Sequence, residues 1–126
     1  MILGVGVDII EVERIESACE RHGDRFLARI LRAGEIEYCR SFRRPGPHIA
    51  ARFAAKEAIS KAFGTGIGAD LGWHDMEVAN RPSGQPYVIL HEKGRTAMDQ
   101  RGAGQIHLTL SHTQTHAVAV AVLETD

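Results

Sequence analysis

Two charged residues on an otherwise apolar helix are the residues of this sequence best placed to do chemistry. Residues 53–61 read FAAKEAISK, and a turn of 100° per residue puts Glu57 and Lys61 on one stripe and Arg52 and Lys56 on another. We expect Arg52 and Lys56 to face water. Glu57 and Lys61 then face a neighbouring element or a ligand, where they need a partner, a metal or a charged substrate. The alternative is an ordinary i,i+4 helix pair worth about 0.2–0.5 kcal/mol.

A strand predicted over residues 2–10 supplies a second carboxylate, Asp8. Its alternating side chains form two faces. One is apolar, with Leu3, Val5, Val7 and Ile9, and the other has small residues and one acid, with Gly4, Gly6 and Asp8. Glycine inside a strand marks a close approach by backbone or ligand. Two interpretations stay open: Asp8 faces a ligand, or the strand is tightly packed and Asp8 caps the next helix. If Asp8 and Glu57 share a site, such hard oxygen donors suit Mg²⁺ completed by water and phosphate oxygens.

Further groups suited to phosphate follow the helix and precede the C-terminus. The glycine-rich loop 64–68 can offer backbone N–H groups to phosphate oxygens. It follows a helix, however, so it is neither a P-loop nor a dinucleotide fingerprint. The segment Ser111-His112-Thr113 adds hydroxyl and imidazole groups. Together with Asp8, Glu57 and Lys61, these residues predict a site for a phosphorylated substrate.

Composition limits the remaining classes of function. The chain has 126 residues, a formal net charge of −1 and 44% hydrophobic residues, so we expect one domain over residues 1–126 and no wholesale binding of nucleic acid. No apolar run approaches the ~20 residues that span a bilayer, so no membrane insertion is expected. Cys19 and Cys39 are far apart, and the start lacks the features of a signal peptide. Reduced thiols and a cytoplasmic location are therefore predicted.

The hydrophobic patterns predict an α+β fold, in which a small antiparallel sheet packs with helices in the order β-α-α-α-α-β-β-α-β-β. After the first strand, helices are predicted at residues 11–22, in a segment that begins after Asp24 as an N-cap, at 35–42 and at 48–63. Strands at 73–79 and 87–91, a helix at 91–101 and strands at 105–111 and 117–123 follow. The last two strands should form an antiparallel hairpin. Their inward side chains are expected to be Ile106, Leu108 and Leu110 on one strand and Val118, Val120 and Val122 on the other.

The first two helices separate their charges by sign. Glutamates cluster on one flank of the first helix, while Arg14 and Arg21 share another, and Arg25, Arg29 and Arg32 follow on the next segment. Such a surface can receive an acidic protein, and a merely solvated face is the alternative.

The motifs as a set closely resemble those of one family. Val5-Gly6-Val7-Asp8-Ile9 and the run from Arg52 to Ala58, followed by Lys61 and Phe63-Gly64-Thr65-Gly66, resemble the two signatures of the holo-acyl-carrier-protein synthases. Leu110-Ser111-His112-Thr113 matches their C-terminal segment. The resemblance covers essentially the whole chain. It implies the 4′-phosphopantetheinyl transferase fold and transfer of 4′-phosphopantetheine from coenzyme A to a serine of apo acyl carrier protein, releasing adenosine 3′,5′-bisphosphate, in fatty acid biosynthesis.

The resemblance also implies roles for particular residues. Asp8 and Glu57 would hold Mg²⁺, and Lys61, the third catalytic residue, would neutralise the pyrophosphate or assist proton transfer. Glu57, Lys61 and a water on the metal remain alternatives for accepting the serine proton. The implied coenzyme A contacts are Arg52, Lys61, Gly64, Thr65, Gly84, Pro86, Ser111, His112 and Thr113.

Partners follow from the same resemblance. Arg14, Arg21 and Arg25 would meet the acidic recognition helix of the carrier protein, and the family implies a homotrimer whose active sites lie between subunits. Two other functions remain open: a non-enzymatic nucleotide-binding assembly module, which would bind without turnover, and a magnesium-dependent coenzyme A pyrophosphate hydrolase, which would release free phosphopantetheine.

Overall fold

The computed structural model describes residues 1–126, and its elements follow the predicted order. They are β1 (Ile2–Glu11), α1 (Val12–His22), α2 (Asp24–Ile30), α3 (Ala33–Arg40), α4 (Gly46–Phe63), a short 3₁₀ turn (Trp73–Asp75), β2 (Met76–Asn80), β3 (Pro86–Leu90), α5 (Lys93–Arg101), β4 (Gln105–His112) and β5 (His116–Glu124). Strands β1, β5 and β4 form one antiparallel sheet in that order, and β2 and β3 pair as a separate hairpin. The predicted α+β class and the β4–β5 hairpin are confirmed.

Helix α4 runs through the centre of the molecule and packs on the three-stranded sheet. Its alanines favour the helix, and Pro47 in the first turn fits because its missing N–H would be unpaired there in any case. Gly64 ends the helix in the left-handed conformation, with φ 79°. Because the buried alanines are small, neighbouring backbones can approach α4 closely.

The glycines of β1 permit the closest of these approaches. A Cβ on Gly4 would lie 1.9 Å from the carbonyl oxygen of Ala62, and one on Gly6 would lie 1.9 Å from that of Ala58. No side chain fits in this space. The tightly packed interpretation of this strand is therefore correct for its glycines, and the packing carries Asp8, two residues further along, to the side of α4.

The inward face of β5 differs from the prediction. Ala117, Ala119, Ala121 and Leu123 are buried, whereas Val118, Val120 and Val122 lie on the opposite face. The register pairs those valines with Ile9, Val7 and Val5 of β1. Both faces of β5 are apolar, so alternation alone does not predict which face packs on the core. On β4 the predicted inward residues, Ile106, Leu108 and Leu110, do lie on the same face of the sheet as the buried alanines of β5.

Several element boundaries also differ. Residues 73–75 form the 3₁₀ turn rather than the start of β2, and α5 begins at Lys93 because Glu92 adopts a positive φ of 36°. Asp24 is the first residue of α2 instead of its cap, and it pairs with Arg40. None of the helices combines the length and the apolar character needed to cross a membrane.

Candidate active site

Strand β1 and helix α4 bring together Asp8, Glu57 and Lys61, the three residues predicted to be catalytic. Lys61 Nζ lies 3.2 Å from Oδ1 of Asp8 and donates a hydrogen bond to the Val7 carbonyl at 3.0 Å. The Asp8 side chain is 17% exposed and that of Lys61 is 50% exposed. No side chain caps the start of α1. Asp8 therefore faces the site next to α4 instead of capping the following helix.

The electrostatics of Glu57 show that two carboxylates share this site. Burial raises the pKa of Glu57, the charge of Asp8 raises it further, and Lys61 lowers it. The site thus holds more negative charge than its single ammonium offsets. Such a pair favours a second cation.

The pair fits a magnesium ion better than a metal with a complete protein cage. No group of three or more His, Cys, Asp or Glu side chains gathers as a metal site in the structure. Mg²⁺ commonly binds through one or two carboxylates and takes its remaining ligands from water and substrate phosphates. Asp8 and Glu57 supply that number and type of donor, on rigid elements and open to one side.

The expectation that Arg52 and Lys56 face water is wrong. Arg52 is 3% exposed and Lys56 is fully buried. The Lys56 ammonium donates to Glu35 Oε1 and to the carbonyls of Ile30 and Trp73, at 2.8, 2.8 and 3.0 Å. Burial lowers the pKa of Lys56, and the Glu35 carboxylate opposes that shift. Glu35 is 21 positions away in sequence, so helical spacing gave no sign of this partner.

Arg52 supports the turn between β2 and β3. It donates to Oδ1 of Asn80 at 2.6 Å, and Nδ2 of Asn80 donates to the Gly84 carbonyl at 3.0 Å. The guanidinium stacks on Tyr38, 4.1 Å from the ring centroid, and Nε of Arg52 is buried without a hydrogen-bond partner. Gly84 takes φ 94° within the turn. Arg52 is thus linked to the turn that carries Gly84 and Pro86, two other residues predicted to contact coenzyme A.

The glycine-rich loop 64–68 uses its first N–H groups to end α4. Gly64 donates to the Lys61 carbonyl, and both Thr65 and Gly66 donate to the Ser60 carbonyl, at 3.0, 3.2 and 3.3 Å. The expected cradle of free N–H groups is therefore absent at these three residues. Gly64 and Thr65 are nevertheless exposed, and they directly follow the turn of α4 that carries Lys61.

Ser111, His112 and Thr113 lie at the far end of β4 and its following turn, on the opposite edge of the sheet from β1. The His112 ring meets the His48 ring edge to face at 5.0 Å, and His48 stacks on Phe42 at 3.6 Å. Burial, His112 and Arg52 together lower the pKa of His48. These residues line a pocket of about 490 Å³, which we call the histidine pocket; its lining is Phe42, Arg43, Arg44, Pro47, His48, His112, Thr113 and Gln114.

The arginines predicted to bind the carrier protein gather around one phenylalanine. Arg14 and Arg21 line a groove of about 430 Å³ together with Phe26 and Phe53, and Arg25 lines an adjoining pocket that shares Phe26. We call this combined surface the basic groove. Ile10, two residues after Asp8, also lines it. Phe53 lies one helical turn before Glu57, so the groove, which is lined mainly by α1 and also holds Glu11 and Glu13, touches both elements that carry the carboxylates.

Sequence reasoning missed several of these residues. Phe42 and His48 frame His112, Phe26 and Phe53 form the apolar part of the basic groove, and Asn80 joins Arg52 to its turn. His48 follows a proline at the start of α4, which was a weak signal. The others show no local pattern, because their partners come from distant parts of the chain.

The sequence and the fold match those of a known class. A family model described as the 4′-phosphopantetheinyl transferase superfamily matches residues 4–121. A holo-acyl-carrier-protein synthase of Koribacter versatilis is 48% identical over 98% of this chain and 99% of its own length.

Solved structures agree with that match. The holo-acyl-carrier-protein synthase of Neisseria meningitidis superposes with a TM-score of 0.92 at 30% identity, covering 99% of this chain and 100% of the other. The Helicobacter pylori enzyme of the same name, solved in complex with coenzyme A, gives a TM-score of 0.86 at 33% identity over 95% and 99% of the two chains. The chain belongs to the holo-acyl-carrier-protein synthases of the 4′-phosphopantetheinyl transferase superfamily.

Proposed function

We infer that this chain transfers the 4′-phosphopantetheine group of coenzyme A to a serine of apo acyl carrier protein. The serine oxygen forms a bond to the β-phosphorus, the bond from that phosphorus to the bridging oxygen breaks, and adenosine 3′,5′-bisphosphate leaves with that oxygen. The serine proton passes to a base, for which Glu57, Lys61 and a water on the metal are the alternatives. The observation that carries this function is the group of Asp8, Glu57 and Lys61 beside the basic groove. The product would serve fatty acid biosynthesis in the cytoplasm, where the free thiols of Cys19 and Cys39 would stay reduced.

Asp8 and Glu57 are the residues we propose to hold Mg²⁺. When bound, the ion would supply charge stabilisation at the pyrophosphate and at the leaving group. Lys61 adds a fixed ammonium beside Asp8, and its half-exposed side chain can reach substrate oxygens. Helix α4 holds Glu57 and Lys61 one turn apart, so both groups act on the same part of the substrate.

The basic groove is the proposed docking surface for the carrier protein. Arg14, Arg21 and Arg25 can meet acidic side chains, and Phe26 and Phe53 give the groove an apolar floor. Because Ile10 and Phe53 of its lining belong to β1 and α4, a partner seated in the groove would present a serine near Asp8 and Glu57. Exposed arginines of this kind speed encounter more than they strengthen the final complex.

We propose that coenzyme A spans two subunits. Lys61, Gly64 and Thr65 lie at one end of α4, whereas the histidine pocket lies between the first turn of α4 and the end of β4, the sheet edge opposite β1. The pocket lining includes none of the three catalytic residues. The contacts proposed for Ser111, His112 and Thr113 therefore belong to the neighbouring subunit's half of the site.

The outer face of the sheet is the proposed interface between subunits. Val5, Val7 and Ile9 are 61, 54 and 66% exposed, and the valines of β5 continue the same face. An apolar patch of this kind marks a contact surface. We propose that copies of this chain cover it in a homotrimer, the assembly implied by the family resemblance.

Intact mass spectrometry tests the reaction directly. An apo acyl carrier protein is incubated with this protein, coenzyme A and Mg²⁺, with a chelator as control. A metal-dependent gain of one phosphopantetheine arm on the carrier is the expected result. If coenzyme A stays intact with several carriers, the proposal is overturned in favour of a binding module. If coenzyme A is hydrolysed without loading any carrier, it is overturned in favour of a hydrolase.

A further inference from the structure

The buried ion pair between Lys56 and Glu35 links five elements around the middle of α4. Lys56 donates to the Ile30 carbonyl at the end of α2, to Glu35 in α3 and to the Trp73 carbonyl in the 3₁₀ turn. Glu35 also accepts the N–H of Val78 in β2, at 2.9 Å. Both side chains are at most 1% exposed. The pair is thus a fully hydrogen-bonded centre that lies one residue from Glu57.

Few of the other contacts of α4 are directional. The helix meets β1 closely through alanines and glycines, its large apolar side chains pack in the core, and Lys61 reaches Asp8 from a half-exposed position. A buried Ser60 hydroxyl bonds only within the helix, to the Glu57 carbonyl. The directional bonds from buried α4 side chains to other elements are those of Lys56 and Arg52.

We propose that Lys56 is a positioning residue, which sets the rotation of α4 and thereby the distance between the carboxylates of Glu57 and Asp8. Lys56 and Glu57 are consecutive, so they are fixed in direction to each other by the helix backbone. A rotation of about 20° would move a carboxylate lying roughly 6 Å from the helix axis by about 2 Å. A displacement of that size is large for a metal ligand or a catalytic group.

Physical chemistry gives a reason to expect a role beyond stability. Taking an ammonium and a carboxylate out of water is costly, and buried ion pairs can often be replaced by apolar residues without loss of stability. What an apolar pair cannot replace is the direction of the bonds to Ile30, Trp73 and Val78. Removing a residue that positions a metal ligand without itself binding the metal typically lowers metal affinity by about 10- to 100-fold.

The test measures metal binding without turnover, because this inference rests on the proposed metal role of Asp8 and Glu57. Mn²⁺ is titrated into the full chain with coenzyme A present, and the free ion is followed by electron paramagnetic resonance. The variants are Lys56→Met with Glu35→Gln, and Glu35→Gln alone, which keeps the side-chain size. We expect Mn²⁺ affinity about 10- to 100-fold lower in the double variant and a smaller loss in the single one.

A matched control separates positioning from stability. Ile59 is fully buried on α4 but outside the ion pair, and Ile59→Ala lowers thermal stability by opening a cavity. We expect Ile59→Ala to keep wild-type Mn²⁺ affinity. We expect the double variant to lose kcat while its KM for the carrier protein is unchanged. Wild-type affinity in the folded Glu35→Gln or double variant would overturn the inference. Failure of the wild-type protein to bind Mn²⁺ more tightly than Asp8→Asn would instead reject the metal role itself.

Discussion

Lys61 reaches across from α4 to Asp8, with its Nζ 3.2 Å from Oδ1, although the two residues are 53 positions apart in the chain. The contact joins the first strand to the central helix at the point where Glu57 also lies. Burial and the charge of Asp8 raise the pKa of Glu57 there, against the opposing effect of Lys61.

Replacing Glu57 by glutamine should abolish transfer without unfolding the protein. The amide keeps the size of the side chain but removes a metal-ligating charge, so we expect activity to fall by about 10²-fold or more. Intact-mass assays measure the loss and thermal unfolding checks the fold. Glu37→Gln, an exposed substitution on α3, is the control and should be fully active. A Glu57→Gln protein with the wild-type rate would contradict the metal-pair assignment.

The same variant should show a distinctive pH dependence of stability in metal-free buffer. Because the pKa of Glu57 is raised in the folded state, the native protein binds this proton more tightly than the unfolded chain does. The free energy of unfolding of the wild type should therefore fall relative to that of Glu57→Gln as the pH rises. The fall should begin near the ordinary glutamate pKa of about 4.3 and end above the raised pKa of Glu57 in the folded protein. Urea unfolding at several pH values measures this difference, and a constant difference would contradict the shared-carboxylate site.

Adding one methyl group to Gly6 should separate β1 from α4. Its Cβ would lie 1.9 Å from the Ala58 carbonyl oxygen, so we expect Gly6→Ala to cost about 1–3 kcal/mol of stability and to impair transfer through displacement of Asp8. Gly68→Ala is a matched control, because nothing lies within 4 Å of its added Cβ. Chemical denaturation and transfer assays measure both; a stable and fully active Gly6→Ala protein would show that the strand has room to move.

Charge reversal in the basic groove should slow encounter with the carrier protein. Arg14→Glu places an acid where an acidic partner is proposed to dock, and we expect the association rate to fall by about 10-fold at low salt, with a smaller difference at high salt. Stopped-flow or surface-binding kinetics over a salt series measures it. Arg95→Glu, on the exposed side of α5, makes the same change in net charge and should have no such effect. Salt-independent, wild-type association of Arg14→Glu would reject the groove as the docking surface.

A charge on the outer face of the sheet should dissociate the proposed trimer. Val7 is 54% exposed in the single chain, so Val7→Asp should leave the fold intact while burying a carboxylate in the assembly, which is strongly unfavourable. We expect monomers by native mass spectrometry and loss of transfer, because each site would lack the neighbour's histidine pocket. The exposed Thr96→Asp on α5 is the control. A monomeric wild type, or a trimeric and active Val7→Asp, would contradict the assembly.

The sequence was sufficient to predict the element order, the terminal hairpin and the meeting of Asp8, Glu57 and Lys61, because these depend on periodicity and on motif residues. It was insufficient for the inward face of β5. There the larger side chains, such as Val120, face outward, since α4 requires alanines beneath it. It also placed Lys56 in water, because its partner Glu35 belongs to another helix. Both errors concern residues whose environment is set by contacts remote in the chain.

Strand β1 has one further consequence for how this chain can change. Gly4, Gly6 and Asp8 face α4, while Val5, Val7 and Ile9 alternate with them on the outer face. The pairing with β5 already has a register irregularity between Ile2 and Gly4, so a change of length before Gly4 can be absorbed there. A single residue inserted or deleted between Gly6 and Asp8 would instead exchange the two faces on one side of the change. Either valines would then meet the α4 carbonyls, or the carboxylate would point away from Glu57. We therefore expect no change of length in this part of the strand, whereas the exposed segment at Gly68 to Asp70 can accept one.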